Sequence, residues 1–187
     1  MDTRKVARDF ENSVKDFHLP RCSELPELDF YMDQVISLME KYLYLLSIDK
    51  NTKFITPAMI NNYVKLGIIP PPKKKRYSKE HICYLFIICT LKSVIPIPSI
   101  SNIIKSQTKS RSVFELYDIF CEAYENMLKE AVSTSRDILL EEADITEDAM
   151  TKLSFFMAIS AGTTQLIATS AIKTFSDDGK TEEKDKE

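Results

Sequence analysis

The chain has 187 residues, 44 % of them hydrophobic, a formal net charge of −3 and three glycines, Gly67, Gly162 and Gly179. That length and apolar content suffice for one sizeable core or two small ones. The shortage of glycine argues against a hairpin-rich sheet protein and excludes a Gly-x-Gly loop of the phosphate-cradling kind, so the expected class is mainly α.

In chain order, Val6, Phe10, Val14 and Phe17 recur at helical spacing and predict an amphipathic helix over residues 3–17. Pro20 and Pro26 break it, so residues 1–28 read as a helical extension with a Pro-rich connector. Apolar residues return from Asp29, a candidate cap, to about Ser47. A short helix over 57–66, a longer one from Ser78 to Ser93 and a third from Ser99 to Gln107 follow, with Ile95-Pro96-Ile97-Pro98 as the turn between the last two. Residues 29–110 thus form one helical domain. Residues 111–175 hold two long helices. The first carries Val113, Phe114, Tyr117, Phe120, Cys121, Tyr124, Met127, Leu128 and Ala131 on one face and runs toward Leu140. The second opens near Asp144 and Glu147, a pair at capping-box spacing, and ends near Phe175. Residues 176–187 have little to bury and read as a disordered tail.

Charge is distributed unevenly. Residues 50–114 hold twelve Lys and Arg against one acid, Glu80, which makes that segment +11 and the remainder −14. A basic segment in an acidic chain localises attraction for a polyanion. Within it, Thr56 is a good N-cap, Pro57 suits the first helical position and Gly67 fits just past the end. Ile60, Tyr63 and Val64 share the apolar arc of this helix, and Ala58, Asn61, Asn62 and Lys65 share the opposite one. Asn can pair two-point with adenine in a major groove, Ala58 allows close approach, and Lys65 can reach phosphate. Three prolines then stiffen the exit and present Lys73, Lys74, Lys75 and Arg76 as a basic arm for phosphates or an adjacent minor groove. Tyr77 either stacks on the sugar–phosphate backbone or anchors the arm in the core.

Four cysteines (Cys22, Cys83, Cys89, Cys121) include no Cys-x-x-Cys pair and only His18 and His81 accompany them, so no metal set or other cofactor is expected. A reduced, cytoplasmic protein is the expectation, since the charged N-terminus lacks the apolar core of a signal peptide. The carboxylates cluster at 141–148 and in the tail without a nucleophile–His–acid set, so no enzyme is expected.

Residues 56–103 resemble the winged helix-turn-helix of MerR-type transcription regulators. The resemblance rests on the Thr56 cap, Tyr63 four residues before Gly67, the Gly-Ile-Ile-Pro-Pro exit, the Arg76-Tyr77-Ser78 element and the Ile95–Ile100 turn. With Glu27-Leu28-Asp29-Phe30-Tyr31-Met32-Asp33-Gln34-Val35 upstream, the chain also resembles an uncharacterised bacterial domain-of-unknown-function family related to MerR. The resemblance implies a MerR-like winged helix-turn-helix at 29–110, double-stranded DNA as partner and dimerisation through a long C-terminal helix. Asn61 stands where such regulators carry Arg, and the wing is shorter and lacks its glycine. Cys121 stands alone, so metal sensing is not carried over.

Residues 153–172 carry no charge over twenty residues, the length of a membrane span. Seven Ser, Thr or Gln side chains and the lack of an aromatic belt predict a buried helix and no membrane contact. Its apolar and small residues surround most of its circumference, so one facing helix cannot cover it. Ala158, Gly162, Ala168 and Ala171 would admit a partner helix, which predicts a homodimer; burial by 1–47 and 112–140 of the same chain is the alternative. Phe114, Tyr117, Phe120, Tyr124, Met127, Phe155, Phe156 and Met157 read as core, or as the lining of a pocket for a small-molecule effector of unknown identity.

The functional expectation is a sequence-specific, DNA-binding transcriptional regulator, dimeric and repressor-like. The alternative is a non-enzymatic helical interaction or architectural module with a degenerate winged helix.

Overall fold

The computed structural model describes residues 3–15, 17–43, 53–141 and 146–184. The fold is mainly α-helical: α1 Thr3–Lys15, a 3-10 turn Cys22–Glu24, α2 Met32–Leu43, α3 Pro57–Lys65, α4 Lys79–Leu91, α5 Ile97–Gln107, α6 Val113–Leu140 and α7 Glu147–Lys184. Among the described residues there is no strand, only isolated antiparallel bridges Phe30–Tyr77 and Lys73–Arg76. The chain divides into two compact units, residues 19–123 and residues 1–18 with 124–187, so α6 contributes to both. Residues 19–28 and 111–123 therefore group with the short helices, outside the 29–110 boundaries predicted from sequence.

In the 19–123 unit, α4 is the central element. Its uninterrupted apolar run leaves every residue from His81 to Thr90 except Tyr84 buried. The Phe86 ring packs against Tyr42 (centroids 6.0 Å apart) and Tyr117 (5.6 Å). Val35, Met39 and Leu43, four residues apart, turn one stripe of α2 inward. This helix meets α3 and α4, and α4 meets α5. Tyr117 donates from its hydroxyl to the Pro20 carbonyl at 2.7 Å, and the Cys22 N–H donates to Asp118 Oδ1 at 2.7 Å. These two bonds tie the Pro-rich connector to the start of α6.

Several predicted boundaries move. Asp29 does not cap α2: the backbone of Phe30 is paired with Tyr77, which keeps 29–30 extended, and the Tyr31 N–H is met by Gln34 Oε1 at 2.9 Å. The predicted end of this helix near Ser47 lies outside the described residues. The third short helix starts at Ile97, two residues before Ser99, because Pro98 occupies its first turn, where a missing N–H costs nothing. Asp144 lies outside the described residues. The cap of α7 is Thr146, whose Oγ1 accepts from the Ala149 N–H at 3.1 Å.

In the other unit, Phe17 lies against Tyr124 with centroids 6.0 Å apart, and His18 pairs with the buried Glu125 at 3.2 Å. Arg136 bridges Glu11 at 2.7 Å and Asp137 at 3.0 Å. The buried line of α6 is narrower than the face predicted for it: Val113, Tyr117, Cys121, Glu125, Val132, Ser135 and Leu139 are inside, while Phe114 and Met127 are exposed.

Helix α7 differs from its sequence-based expectation in extent and exposure. The backbone of α7 stays helical to Lys184, where a disordered tail was expected from 176. Glu and Lys are good helix formers, and extending an existing helix escapes the nucleation cost. The uncharged run of α7 is not buried within the chain, among the described residues. The helix is long and apolar enough to cross a membrane over Glu147–Thr174, and none of that apolar window is buried.

Candidate nucleic-acid interface

Helix α3 is delimited by local chemistry at both ends. Thr56 is extended (φ −132°, ψ 159°), and its Oγ1 accepts from the Met59 N–H at 3.2 Å. At the other end Gly67 adopts φ +64°. Its N–H donates to the Val64 carbonyl at 3.0 Å and the Ile68 N–H to the Tyr63 carbonyl at 3.0 Å, the paired bonds of a Schellman stop. Ile60 and Tyr63 are buried, and burial pushes the Tyr63 phenol up to about 12. Ala58, Asn61, Asn62 and Lys65 are all exposed. The face therefore offers two amides, a cation and no acid.

Ile68 and Ile69 are buried, which fixes the exit from α3, and the prolines carry the chain to the basic segment. There the Arg76 N–H donates to the Lys73 carbonyl at 2.9 Å around Lys74 (φ 50°) and Lys75 (φ 62°). Two consecutive left-handed residues closed by that bond make the hairpin turn of type I′ hand. Side chains with a Cβ adopt this conformation at a cost of about 1–2 kcal/mol each. The arm is thus a tight, strained loop that turns out four exposed cations, Lys73, Lys74, Lys75 and Arg76.

Tyr77 does not belong to that exposed set. It is 3 % exposed, its backbone exchanges two 2.8 Å hydrogen bonds with Phe30, and its ring meets His81 edge-to-face at 5.4 Å. Of the two roles considered for it, the geometry is that of an anchor, because a buried ring cannot stack on a backbone in solvent. Ser78 starts α4 with His81 closing a capping box: the Ser78 N–H donates to His81 Nδ1 at 3.0 Å, and the buried Nε2 has no hydrogen-bond partner.

Not every cation of the basic segment faces solvent without a partner. Lys79 is paired with Glu27 at 2.6 Å. Lys92 donates to the Phe54 carbonyl, lies 5.2 Å over the Phe54 ring and 3.7 Å from Met59 Sδ, and so pins the approach to α3. Among the described residues no ion pair engages Lys65, Lys73, Lys74, Lys75 or Arg76. Sequence inspection missed one neighbour of this group, Tyr31. Arg76 Nη2 donates to its hydroxyl at 3.0 Å and the guanidinium carbon sits 4.7 Å over its ring. The two residues are 45 apart, so no local pattern pairs them.

No group of three or more metal-ligating side chains occurs among the described residues. Burial pushes the thiols of Cys83, Cys89 and Cys121 upward, the last to about 11, which is the behaviour of core cysteines.

No curated protein and no solved structure matches the chain. Residues 20–126 match DUF1836, described as a domain of unknown function, and they include both α3 and the basic turn. More than half of the chain is covered, and the protein belongs to the DUF1836 family.

Proposed function

We propose that this protein is a sequence-reading, DNA-binding transcriptional regulator in which α2, α3 and the Lys73–Arg76 turn act as a winged helix-turn-helix. One observation carries the reading: an acid-free helix face capped at both ends is followed six residues on by a tight turn whose four cations have no acidic partner among the described residues. Asn61 and Asn62 supply exposed amides, the side chains that pair two-point with adenine in a major groove. Lys65 and the turn supply salt-dependent, sequence-independent attraction to phosphates. The bound polymer is double-stranded DNA, because an exposed helix face suits the wide groove of B-form DNA and not the deep, narrow one of RNA.

A second reading is favoured by the absence of a strand pair behind the turn among the described residues, and by Asn61 where the resembled regulators carry Arg. On that reading the module is a helical interaction domain that has kept charge and lost readout.

Fluorescence anisotropy of a random-sequence duplex tests the electrostatic half. Affinity should fall steeply as salt rises from about 50 to about 200 mM. Each of Lys73, Lys74, Lys75 and Arg76 changed to Ala should flatten the log–log salt slope by about one unit. A slope unmoved by all four substitutions would remove the turn from the interface.

A further inference from the structure

We propose that Cys22 and Cys83 form a dithiol–disulfide pair: Cys22 captures a low-molecular-weight disulfide such as oxidised glutathione, and Cys83 converts the adduct into an intramolecular bridge. This inference is independent of the DNA reading.

The two residues are remote in sequence and meet at one place in the 19–123 unit. Cys22 opens the 3-10 turn, and its position is fixed from two sides. Its N–H donates to Asp118 Oδ1 at 2.7 Å, and the carbonyl of the nearby Pro20 accepts from the Tyr117 hydroxyl at 2.7 Å. Cys83 lies in the second turn of α4 and is fully buried. The Cys22 and Cys83 thiols share a hydrogen bond, so the two sulfurs are already in contact in the reduced chain. Such a bond between thiols is weak, and the same contact is the starting geometry for attack of one sulfur on the other. Cys121, the third thiol of this region, turns instead toward the Pro20 carbonyl at 4.0 Å.

Exposure and charge give the two sulfurs different roles. Cys22 is half-exposed and open to a dissolved reagent, whereas Cys83 is enclosed. Burial raises both thiols, Cys83 further, and at Cys22 the Lys79 ammonium and the shared hydrogen bond oppose that rise. Lys79 is held by Glu27 at 2.6 Å and precedes Cys83 by one helical turn. Cys22 is therefore the attacking thiol, through the fraction of it that is ionised.

The exchange balances with the disulfide as its only co-reactant. The Cys22 thiolate attacks one sulfur of oxidised glutathione, that S–S bond breaks, and the first glutathione leaves with the proton Cys22 gave up. Cys83 then attacks the Cys22 sulfur of the mixed disulfide, and its own proton goes to the second departing glutathione. Two cysteine thiols are oxidised and one glutathione disulfide is reduced to two thiols. Contact gives Cys83 an effective concentration that no dissolved thiol reaches, so its enclosure does not prevent the second step. The bridge closes a loop of chain that contains α2, α3 and the Lys73–Arg76 turn. Restricting that loop in the unfolded chain favours the folded one.

The test incubates the reduced, folded full chain with oxidised glutathione at about pH 8.5, near the ordinary thiol pKa, and follows intact mass and peptide maps. The wild type should lose two hydrogens, carry no glutathione, map to a Cys22–Cys83 link and return to the starting mass with dithiothreitol. Cys83→Ala should stop at a glutathione adduct on Cys22, and Cys22→Ser should stay unreacted. The bridged wild type should melt on the order of 10 °C above the reduced one. A wild type that keeps the glutathione adduct, stays reduced, links other cysteines or melts no higher when bridged would overturn the proposal. The wild-type map decides this even if Cys83→Ala fails to fold.

Discussion

The guanidinium of Arg76 is held by the side chain of Tyr31, which takes one hydrogen bond through its hydroxyl at 3.0 Å and offers its ring 4.7 Å beneath the cation. Both residues are fixed by their neighbours, because Phe30 and Tyr77 exchange 2.8 Å backbone hydrogen bonds. A stacked guanidinium has already given up rotamer freedom, so less is lost when its remaining donors meet a phosphate. Tyr31→Ala should therefore weaken duplex binding about two- to five-fold, the worth of an exposed cation–π contact. Tyr31→Phe should fall between, and neither should lower the melting temperature appreciably. Equal affinities for all three proteins would show that Tyr31 does not position Arg76 for binding.

The basic turn sets stability against function. Lys75 holds φ 62°, a conformation glycine adopts without strain. Lys75→Gly should stabilise the fold by about 0.5–1 kcal/mol in denaturant titration while removing about one unit of salt slope from DNA binding. Loss of stability on this change would contradict the strained turn.

Tyr77 behaves oppositely to its exposed neighbours. Removing its buried ring with Tyr77→Ala should cost about 3–5 kcal/mol. Lys74→Ala, three residues away, keeps a Cβ in the same left-handed conformation and should cost nothing measurable. Comparable, small effects from both would place the Tyr77 ring in solvent.

Alkaline pH should destabilise the fold, and the sign follows from the direction of the shifts. Burial raises Cys121 from 9.0 to about 11, Cys89 from 9.0 to about 12 and Tyr63 from 10.0 to about 12. An acid whose folded pKa is raised contributes stability that is complete below its unfolded pKa and lost as pH climbs through the folded one. Melting temperature should thus be flat up to about pH 9 and fall between about 9 and 12. At pH near 8, DTNB should label Cys22, the half-exposed thiol, well before the buried three.

What the sequence disclosed was local. The Thr56 cap, Pro57, the Gly67 stop and the Ser78 start are each set by residues within one helical turn, and the structure has all of them. The outward face of α3 follows from its period alone. What stayed hidden depends on remote partners or on conformations that residue type does not advertise. Tyr31 meets Arg76 across 45 positions, and the Phe30–Tyr77 bridge displaces Asp29 from a cap it would otherwise make. Lys74 and Lys75 are left-handed without the Asn or Gly that usually signals such a turn. The composition of the uncharged run of α7 points to burial, but Phe155, Ile159 and Leu166 are exposed in the single chain.

Selection of bound fragments from random duplex DNA by the full chain, at near-physiological salt, tests sequence reading most directly. A shared palindromic motif is expected, and its enrichment should vanish with Asn61→Ala and Asn62→Ala while salt-sensitive retention of bulk DNA persists. Retained fragments without a common motif, or no retention, would contradict a sequence-reading regulator and leave the interaction-module reading in its place.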